Sequence, residues 1–204
     1  MRRTKDDKGR TLEEFLSAYS PKDYPRPSVT VDIALFSIKE NNISILLIKR
    51  GGHPYLDYWA LPGGFTESKE TVYESAEREL FEETNLRDIP LEELGVFSEP
   101  SRDPRSWTMT DAFFALVDRD KISPKAGDDA RDTKWFDITI NSSENTVELW
   151  LKSDEDEFSI ILEKNIKKGV TGDYSIFKTV ENNGIAFDHG EIIAKALDKM
   201  NFIK

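Results

Sequence analysis

The sequence lacks cysteine altogether and has only two histidines among its 204 residues. The absence of cysteine excludes disulfide bonds and thiolate metal sites, and it is compatible with a reducing cytoplasm. No apolar run approaches the length of a membrane span, and the charged residues 1–7 are not followed by the apolar core of a signal peptide. We therefore expect a cytoplasmic protein that makes no membrane contact.

Basic side chains are also in short supply. Lysine and arginine number 28 against 39 aspartates and glutamates, which gives a net charge of −11. Because binding a phosphate backbone needs a basic face, we expect no nucleic acid partner, and a small anionic ligand would need cations gathered locally. The apolar fraction of 38% is typical of a globular protein, and the length fits one domain, alone or with a small appendage.

Local patterns predict most elements of the N-terminal two thirds. A capping box formed by Thr11 and Glu14 predicts a helix over 12–19, which ends before three prolines. Alternating apolar and polar residues then predict two strands, 29–35 and 43–48, joined by a polar hairpin turn. Further strands are predicted over 94–97, 108–116 and 134–136.

The pattern changes after residue 141. Two alternating runs, 147–151 and 158–162, flank an acidic stretch and predict a hairpin with a solvated tip. A last helix is predicted after Asp188, which would cap it together with Glu191. We accordingly divide the chain into an N-terminal extension with a short helix (1–24), a central domain (25–140), and a C-terminal hairpin and closing helix packed on that domain (141–204).

A further helix, predicted over residues 72–84, has clear signals at both ends. Thr71 and Glu74 form a capping box at its start. Asn85 stands where a residue with left-handed backbone conformation would end it.

Three glutamates lie on or beside the apolar side of this helix, which is defined by Val72, Ala76 and Leu80. Glu79 and Glu83 lie within about 60° of the centre of the stripe, and Glu82 lies just beyond them. Carboxylates placed there are costly and repel one another. A hard divalent cation with oxygen ligands, Mg²⁺ or Mn²⁺, would resolve this repulsion.

The alternative is a solvated helix face laced with salt bridges, which is what most runs of charge are. This reading accounts well for Glu74, Glu77 and Arg78, since the arginine is able to pair with Glu74 or Glu82. It accounts poorly for the glutamates of the apolar side.

The segment Gly64–Leu86 resembles the Nudix box. Six charged or glycine positions of that motif match in register, namely Gly64, Glu70, Arg78, Glu79, Glu82 and Glu83. Asn85 departs from the pattern, which has a glycine there. Since the glycine ends the helix and asparagine tolerates the same conformation, we expect the site geometry to survive.

Other stretches resemble the ADP-ribose pyrophosphatase branch of the Nudix family, which also contains ADP-ribose-sensing repressors. They are residues 58–65, 102–105, 126–130, 135–136 and 187–189. The resemblance implies an α/β fold, an α/β/α sandwich with a mixed sheet, which fits the predicted elements. It also implies metal-dependent hydrolysis of a nucleoside diphosphate derivative, above all ADP-ribose to AMP and ribose 5-phosphate. Additions such as 1–24 and 141–182 often build a dimer in related pyrophosphatases, so a homodimer is expected.

The resemblance also implies roles for single residues of the box. Glu79 and Glu83 would bind the catalytic Mg²⁺ or Mn²⁺, and the Gly63 carbonyl would complete the shell. Glu82 would bind a second ion or support the first. Arg78 would hold a glutamate in place. The positions with a structural role in the motif are Gly64, Glu70, Arg78 and Asn85.

Outside the box, Asp128 or Asp129 on a glycine-containing loop are candidates for the general base that takes a proton from the attacking water. Arg102 and Arg105 flank a proline-fixed turn and would suit a phosphate or ribose, the alternative being a pair of surface arginines. Trp107 is a candidate for base stacking or for packing.

The two histidines, His53 and His189, are expected to be structural, and no carboxylate partner for His189 is evident from the sequence.

Two other functions compete with this one. A repressor would bind the ligand without cleaving it, but residues 141–204 hold twelve acidic and eight basic side chains, and a hairpin with one helix does not resemble a winged helix. A housekeeping hydrolase of oxidised nucleotides or dinucleoside polyphosphates would carry the same box. The intact glutamates favour an enzyme over a repressor.

Overall fold

The computed structural model describes residues 3–20, 25–125 and 130–203. Its helices are α1 (Leu12–Ala18), α2 (Val72–Thr84) and α3 (His189–Lys199). Its strands are β1 (Ser28–Lys39), β2 (Asn42–Arg50), β3 (Trp59–Ala60), β4 (Gly63–Phe65), β5 (Glu92–Phe97), β6 (Thr108–Leu116), β7 (Ala130–Ser142), β8 (Thr146–Lys152), β9 (Glu157–Lys167) and β10 (Tyr174–Asn182).

The strands form one mixed sheet in the order β10-β9-β8-β7-β2-β1-β6-β5, with β3 paired to β2 and β4 to β1. The β1–β6 pair is parallel, whereas the other pairs are antiparallel. A parallel pair needs a long crossover, and here the chain between β1 and β6 includes α2. The predicted α/β fold with a mixed sheet between helices is confirmed.

The core lies on both faces of the sheet, because side chains of a strand alternate between faces. On β1, Val31, Ile33 and Leu35 belong to the buried cluster that includes residues of α2. Ala34 and Phe36 belong to the cluster on the opposite face, which includes α3. Asp32 shares this second face, and its buried carboxylate therefore points toward the start of α3.

Helix α2 has the bounds that its sequence predicts. The Thr71–Glu74 capping box is present, with both reciprocal hydrogen bonds formed. Asn85 adopts φ 59° and ψ 23°, and its backbone N–H donates to the Phe81 carbonyl at 2.7 Å. The predicted left-handed cap is confirmed.

Helix α1 and the C-terminal hairpin also agree with prediction, but β10 was missed. Its alternation is weak, because Ser175 and Phe177 point inward while the apolar Tyr174 and Ile176 are half-exposed. The division of the chain at 140/141 stays a prediction, and β7 runs through that point.

The capping chemistry predicted for α3 was wrong. Asp188 does precede the helix, but its side chain makes no cap hydrogen bond. Its carboxylate instead accepts two hydrogen bonds from Arg102. Glu191 accepts from the Thr179 backbone N–H, so it does not complete a capping box. Among the described helices, none is long and apolar enough to cross a membrane.

Substitutions of Asn85 test the cap that replaces the family's glycine. We expect Asn85→Gly to leave the free energy of unfolding nearly unchanged, because both residues tolerate positive φ. Asn85→Val should lower it by roughly 1 kcal/mol or more, because a β-branched residue resists this conformation. Urea denaturation of the three proteins measures the difference, and a harmless valine would contradict the assigned cap.

Candidate active site

A cavity of about 890 Å³ opens between β4, the inner side of α2 and the start of α3. Its wall carries charges of both signs. The acidic members are Asp32, Glu67, Glu79, Glu83 and Asp103, and the basic members are Arg50, Arg78, Arg102, Arg105, Arg131 and His189. Such a wall suits a ligand that is anionic and is accompanied by cations.

Glu83 has the most deeply buried carboxylate that α2 contributes to this wall. It accepts a hydrogen bond of 2.8 Å from the backbone N–H of Gly63. Burial, together with the negative charges of Glu79 and Asp32, raises the pKa of Glu83 to about 8, although the Gly63 N–H opposes the shift. The charged form of Glu83 is therefore unfavourable unless a proton neutralises it or a cation binds beside it.

Glu79 lies one turn earlier, with a side chain that is only 13% exposed. Arg78 donates to it at 2.8 Å, yet burial still raises the pKa of Glu79. A side chain at Gly64 would collide with the Glu79 carboxylate unless that carboxylate moved from its present position. The backbone of β4 and this carboxylate are therefore in close contact.

Arg78 connects several groups of the motif. Its guanidinium donates to Glu70 at 2.7 and 3.1 Å and to the Phe65 carbonyl at 3.0 Å, in addition to Glu79. It also reaches Glu82 at 3.0 Å, so the pairing with Glu82 that the salt-bridged alternative allows does form. These contacts fasten the loop before α2 to the helix.

Glu82 differs from the other two glutamates. Its side chain is 55% exposed and is not part of the cavity wall. Within the described ranges, no three acidic or histidine side chains stand ready to hold a metal ion. The carboxylates have other partners instead: Glu79 and Glu82 accept hydrogen bonds from Arg78, and Glu83 accepts one from a backbone amide.

The donor chemistry nevertheless fits a hard divalent cation. Glu79 and Glu83 offer carboxylate oxygens to one cavity. Burial raises the pKa of both groups, so a cation bound beside them would offset the cost of their negative charges. Oxygen donors of this kind are the preferred ligands of Mg²⁺ and Mn²⁺.

Arg102 lies in a buried ion network. It makes a two-pronged contact with Asp188 at 2.7 and 2.9 Å and reaches Asp32 at 3.1 Å. Burial disfavours the charge of Asp32, but His189 and Arg102 together lower its pKa below the ordinary value. With a side chain only 4% exposed, Arg102 anchors the cavity wall. The surface position allowed for it by the sequence is therefore wrong, whereas a substrate contact stays a prediction.

His189 has the carboxylate partner that its sequence context did not reveal. Its Nδ1 accepts a hydrogen bond of 2.9 Å from the Leu61 N–H, so this nitrogen carries no proton. Its Nε2 lies 3.3 Å from the carboxylate of Asp32. His189 thus ties α3 to both β1 and the approach to β4.

Arg105 lies at the mouth of the cavity, with a side chain that is 42% exposed. It is paired with the buried Asp103 at 2.7 Å, and its guanidinium lies 5.3 Å from the ring centre of Phe65 and 5.7 Å from that of Phe187. Its position agrees with the predicted contact to a substrate, which stays a prediction.

Other predicted residues lie elsewhere. Asp128 and Asp129 fall outside the described residues. Trp107 is 47% exposed and is not part of the cavity wall. His53 is exposed. The backbone of Ala130 pairs with that of Arg50, which does line the cavity.

Three further residues of the wall could not be identified from the sequence alone: Arg50, Arg131 and Phe187. Arg50 ends a strand and Phe187 precedes a helix, positions at which function often concentrates, but no local pattern singles them out. They meet only because β2 and the start of α3 border one cavity.

Arg102→Met tests whether this side chain anchors the fold. The change leaves Asp32 and Asp188 buried without their cation, and we expect the free energy of unfolding to fall by about 3–5 kcal/mol. The control is Arg131→Met, since Arg131 and its partner Asp57 are both 56% exposed, and the expected loss is below about 1 kcal/mol. Equal stabilities by urea denaturation would contradict the anchoring role.

The sequence and the fold are both similar to those of known proteins from one family. A model of the NUDIX domain matches residues 26–153. A MutT/nudix family protein from Enterococcus faecalis has a TM-score of 0.73 at 31% identity, over 94% of this chain and 70% of that one. The NUDIX domain of Shewanella oneidensis NrtR, solved with ADP ribose, has a TM-score of 0.66 at 25% identity, over 94% and 99%.

Two curated relatives are similar over part of the chain. An ADP-ribose pyrophosphatase from Methanocaldococcus jannaschii is 44% identical over 115 residues, which are 56% of this chain and 64% of that protein. The ADPR responsive transcriptional repressor NtrR from Acinetobacter baylyi is 41% identical over 107 residues, 52% of this chain and 43% of that protein. The match thus spans less than two thirds of either relative. With more than half of its length matched by the domain model, the chain belongs to the Nudix family.

Proposed function

We propose that this protein is a metal-dependent Nudix pyrophosphohydrolase that cleaves ADP-ribose to AMP and ribose 5-phosphate. The observation that carries the proposal is the pair of buried carboxylates, Glu79 and Glu83, which the Nudix helix presents to a cavity rimmed by arginines. The similarity to a pyrophosphatase of ADP-ribose supports the choice of substrate.

Glu79 and Glu83 would hold the divalent cation, Mg²⁺ or Mn²⁺, together with the Gly63 carbonyl, and Glu82 would support a second ion. When bound, such a cation offsets the charge that develops on phosphate oxygens. Glu82 would have to leave Arg78 to take part, since its carboxylate accepts a hydrogen bond from that arginine and does not line the cavity.

The protein's own groups have separate tasks. Arg78 holds Glu79 and the loop before α2 in place. The N–H of Gly63 orients the carboxylate of Glu83. Asp128 or Asp129 would accept the proton of the attacking water. Arg105 would contact the substrate at the mouth, and Arg102 from the wall.

A homodimer and a cytoplasmic location complete the proposal. The apolar side chains of α1 are exposed in the described structure: Leu12 is 71% exposed and Leu16 is 58% exposed. A second copy would cover them and lower the cost of that exposure.

A sensor function is the second candidate, favoured by the similarity to the repressor and to a NUDIX domain solved with ADP ribose. A sensor would use the same cavity without turnover. Residues 141–204 have a net charge of −4 and their strands extend the Nudix sheet, so this segment gives no support to DNA binding. A housekeeping hydrolase of other nucleotides is the remaining alternative.

Glu83→Gln tests the role of the buried carboxylate. The change is nearly isosteric, so we expect the fold to persist and kcat with ADP-ribose to fall by at least ~100-fold, about 2.7 kcal/mol of transition-state stabilisation. Glu77→Gln is the matched control, because Glu77 is exposed on the same helix. Turnover near that of the control at saturating Mg²⁺ would remove Glu83 from the site.

The reaction itself separates enzyme from sensor. We expect AMP and ribose 5-phosphate to appear only with a divalent metal and EDTA to stop their release, measured by chromatography of the products. NADH, nucleoside triphosphates and diadenosine polyphosphates tested in parallel show whether ADP-ribose is preferred.

A sensor would give the opposite result. ADP-ribose would bind and remain intact after long incubation, and a specific DNA duplex would be bound with nanomolar affinity at physiological salt. Both observations together would overturn the enzyme proposal.

A further inference from the structure

Arg50, the last residue of β2, differs from the other arginines of the cavity wall. Each of the others has a carboxylate partner: Arg78 with Glu70, Arg102 with Asp188, Arg105 with Asp103 and Arg131 with Asp57. Arg50 is half-buried, yet among the described residues no carboxylate forms an ion pair with it. Its guanidinium donates through Nε to the Pro54 carbonyl at 2.9 Å, which leaves the terminal nitrogens available.

A guanidinium in this position is costly without an anion. Burial and the positive charge of Arg105 lower the pKa of Arg50 from its ordinary value. The charges of Glu83, Asp103 and Asp32 oppose this shift only from a distance. A charge that is half removed from water is stabilised by a direct anionic partner, and the described part of the chain supplies none to Arg50. An anionic ligand in the cavity would serve as that partner.

The guanidinium is also fixed in direction. Its Cζ lies 4.9 Å from the ring centre of Phe187, and the Arg105 guanidinium approaches the same ring at 5.7 Å. Tyr55 supports this ring from its side, with centroids 4.7 Å apart. Two arginines thus share one aromatic platform and point their charges into the cavity.

The backbone at this platform is strained and is held by its surroundings. Phe187 has φ 52° and Tyr55 has φ 61°, values that large aromatic residues seldom adopt and that persist only where neighbouring contacts enforce them. Phe187 directly precedes Asp188, which Arg102 clamps with two hydrogen bonds. The buried ion network therefore fixes the residue on which Arg50 rests.

We propose that Arg50, lying on the Phe187 ring, is the residue that binds and positions the phosphate groups of the substrate. A planar guanidinium with free terminal nitrogens matches two non-bridging oxygens at once, which a single ammonium does not. Glu83 and Glu79 line the same cavity as Arg50, so a diphosphate bound by Arg50 would lie close to these carboxylates of α2. The identity of the whole substrate rests on the function proposed above, whereas the phosphate contact rests on Arg50 alone.

Binding of inorganic pyrophosphate by calorimetry, with Mg²⁺ present, tests the phosphate contact directly. Loss of charge-assisted hydrogen bonds in Arg50→Gln should raise the Kd by about 10- to 100-fold, and Arg50→Lys should recover only part of it. Phe187→Leu should weaken binding less than Arg50→Gln, because the charge remains but its platform is gone. Arg119→Gln is the control: Arg119 contacts Ser44 and Asp137 at the opposite end of β2, and its affinity should equal that of the wild type.

Kinetics with ADP-ribose separate the two proposals. The positioning role predicts that the KM for ADP-ribose of Arg50→Gln rises in parallel with its Kd for pyrophosphate. The change in kcat should be smaller, and the thermal unfolding curve should be unchanged. If pyrophosphate binding depends on Arg50 but ADP-ribose is not cleaved, the phosphate site stands and the substrate is wrong. If ADP-ribose is cleaved while Arg50→Gln retains wild-type KM and pyrophosphate affinity, the role of Arg50 is wrong. A wild-type protein that fails to bind pyrophosphate also overturns it.

Discussion

The buried contact between Arg102 and Asp188 is the interaction on which the rest of this site depends. Through Asp32 it reaches β1, and through His189 it reaches the Leu61 amide just before the motif glycines. Each partner would be costly to bury alone, but together they satisfy one another. The network sets the distance between the sheet and the start of α3, and the cavity occupies the space that this distance leaves.

Most of the fold could be predicted because its signals are local. The capping box at Thr71, the apolar stripe of α2 and Asn85 at its end specify that helix without help from distant residues. Alternation of side chains likewise predicts β1, β2 and the β8–β9 hairpin. Strand β10 was not predicted because three of its four apolar side chains, those of Tyr174, Ile176 and Val180, are exposed, so its sequence lacks the contrast that marks a buried face.

Only the part of the site that lies on a single element, helix α2, could be predicted from the sequence. Glu79 and Glu83 share a helix, and their spacing shows that they face the same way. Arg102, Asp32 and Asp188 come from three separate parts of the chain, and the pairing that makes Arg102 an anchor depends on the sheet order. Asp188 illustrates the conflict: local chemistry favours a helix cap, but a buried guanidinium is a stronger partner than an N–H at a helix end.

The late position of Phe187, Asp188 and His189 in the chain has a consequence for synthesis on the ribosome. The helix with the motif glutamates emerges more than a hundred residues before the segment that closes the cavity. Until that segment arrives, Asp32 and Arg102 lack the partner that secures them. A domain generally folds as a unit, so the nascent chain carries the glutamates of α2 for some time before an enclosed site exists. The enclosed cavity therefore forms only after residues 187–189 have been synthesised.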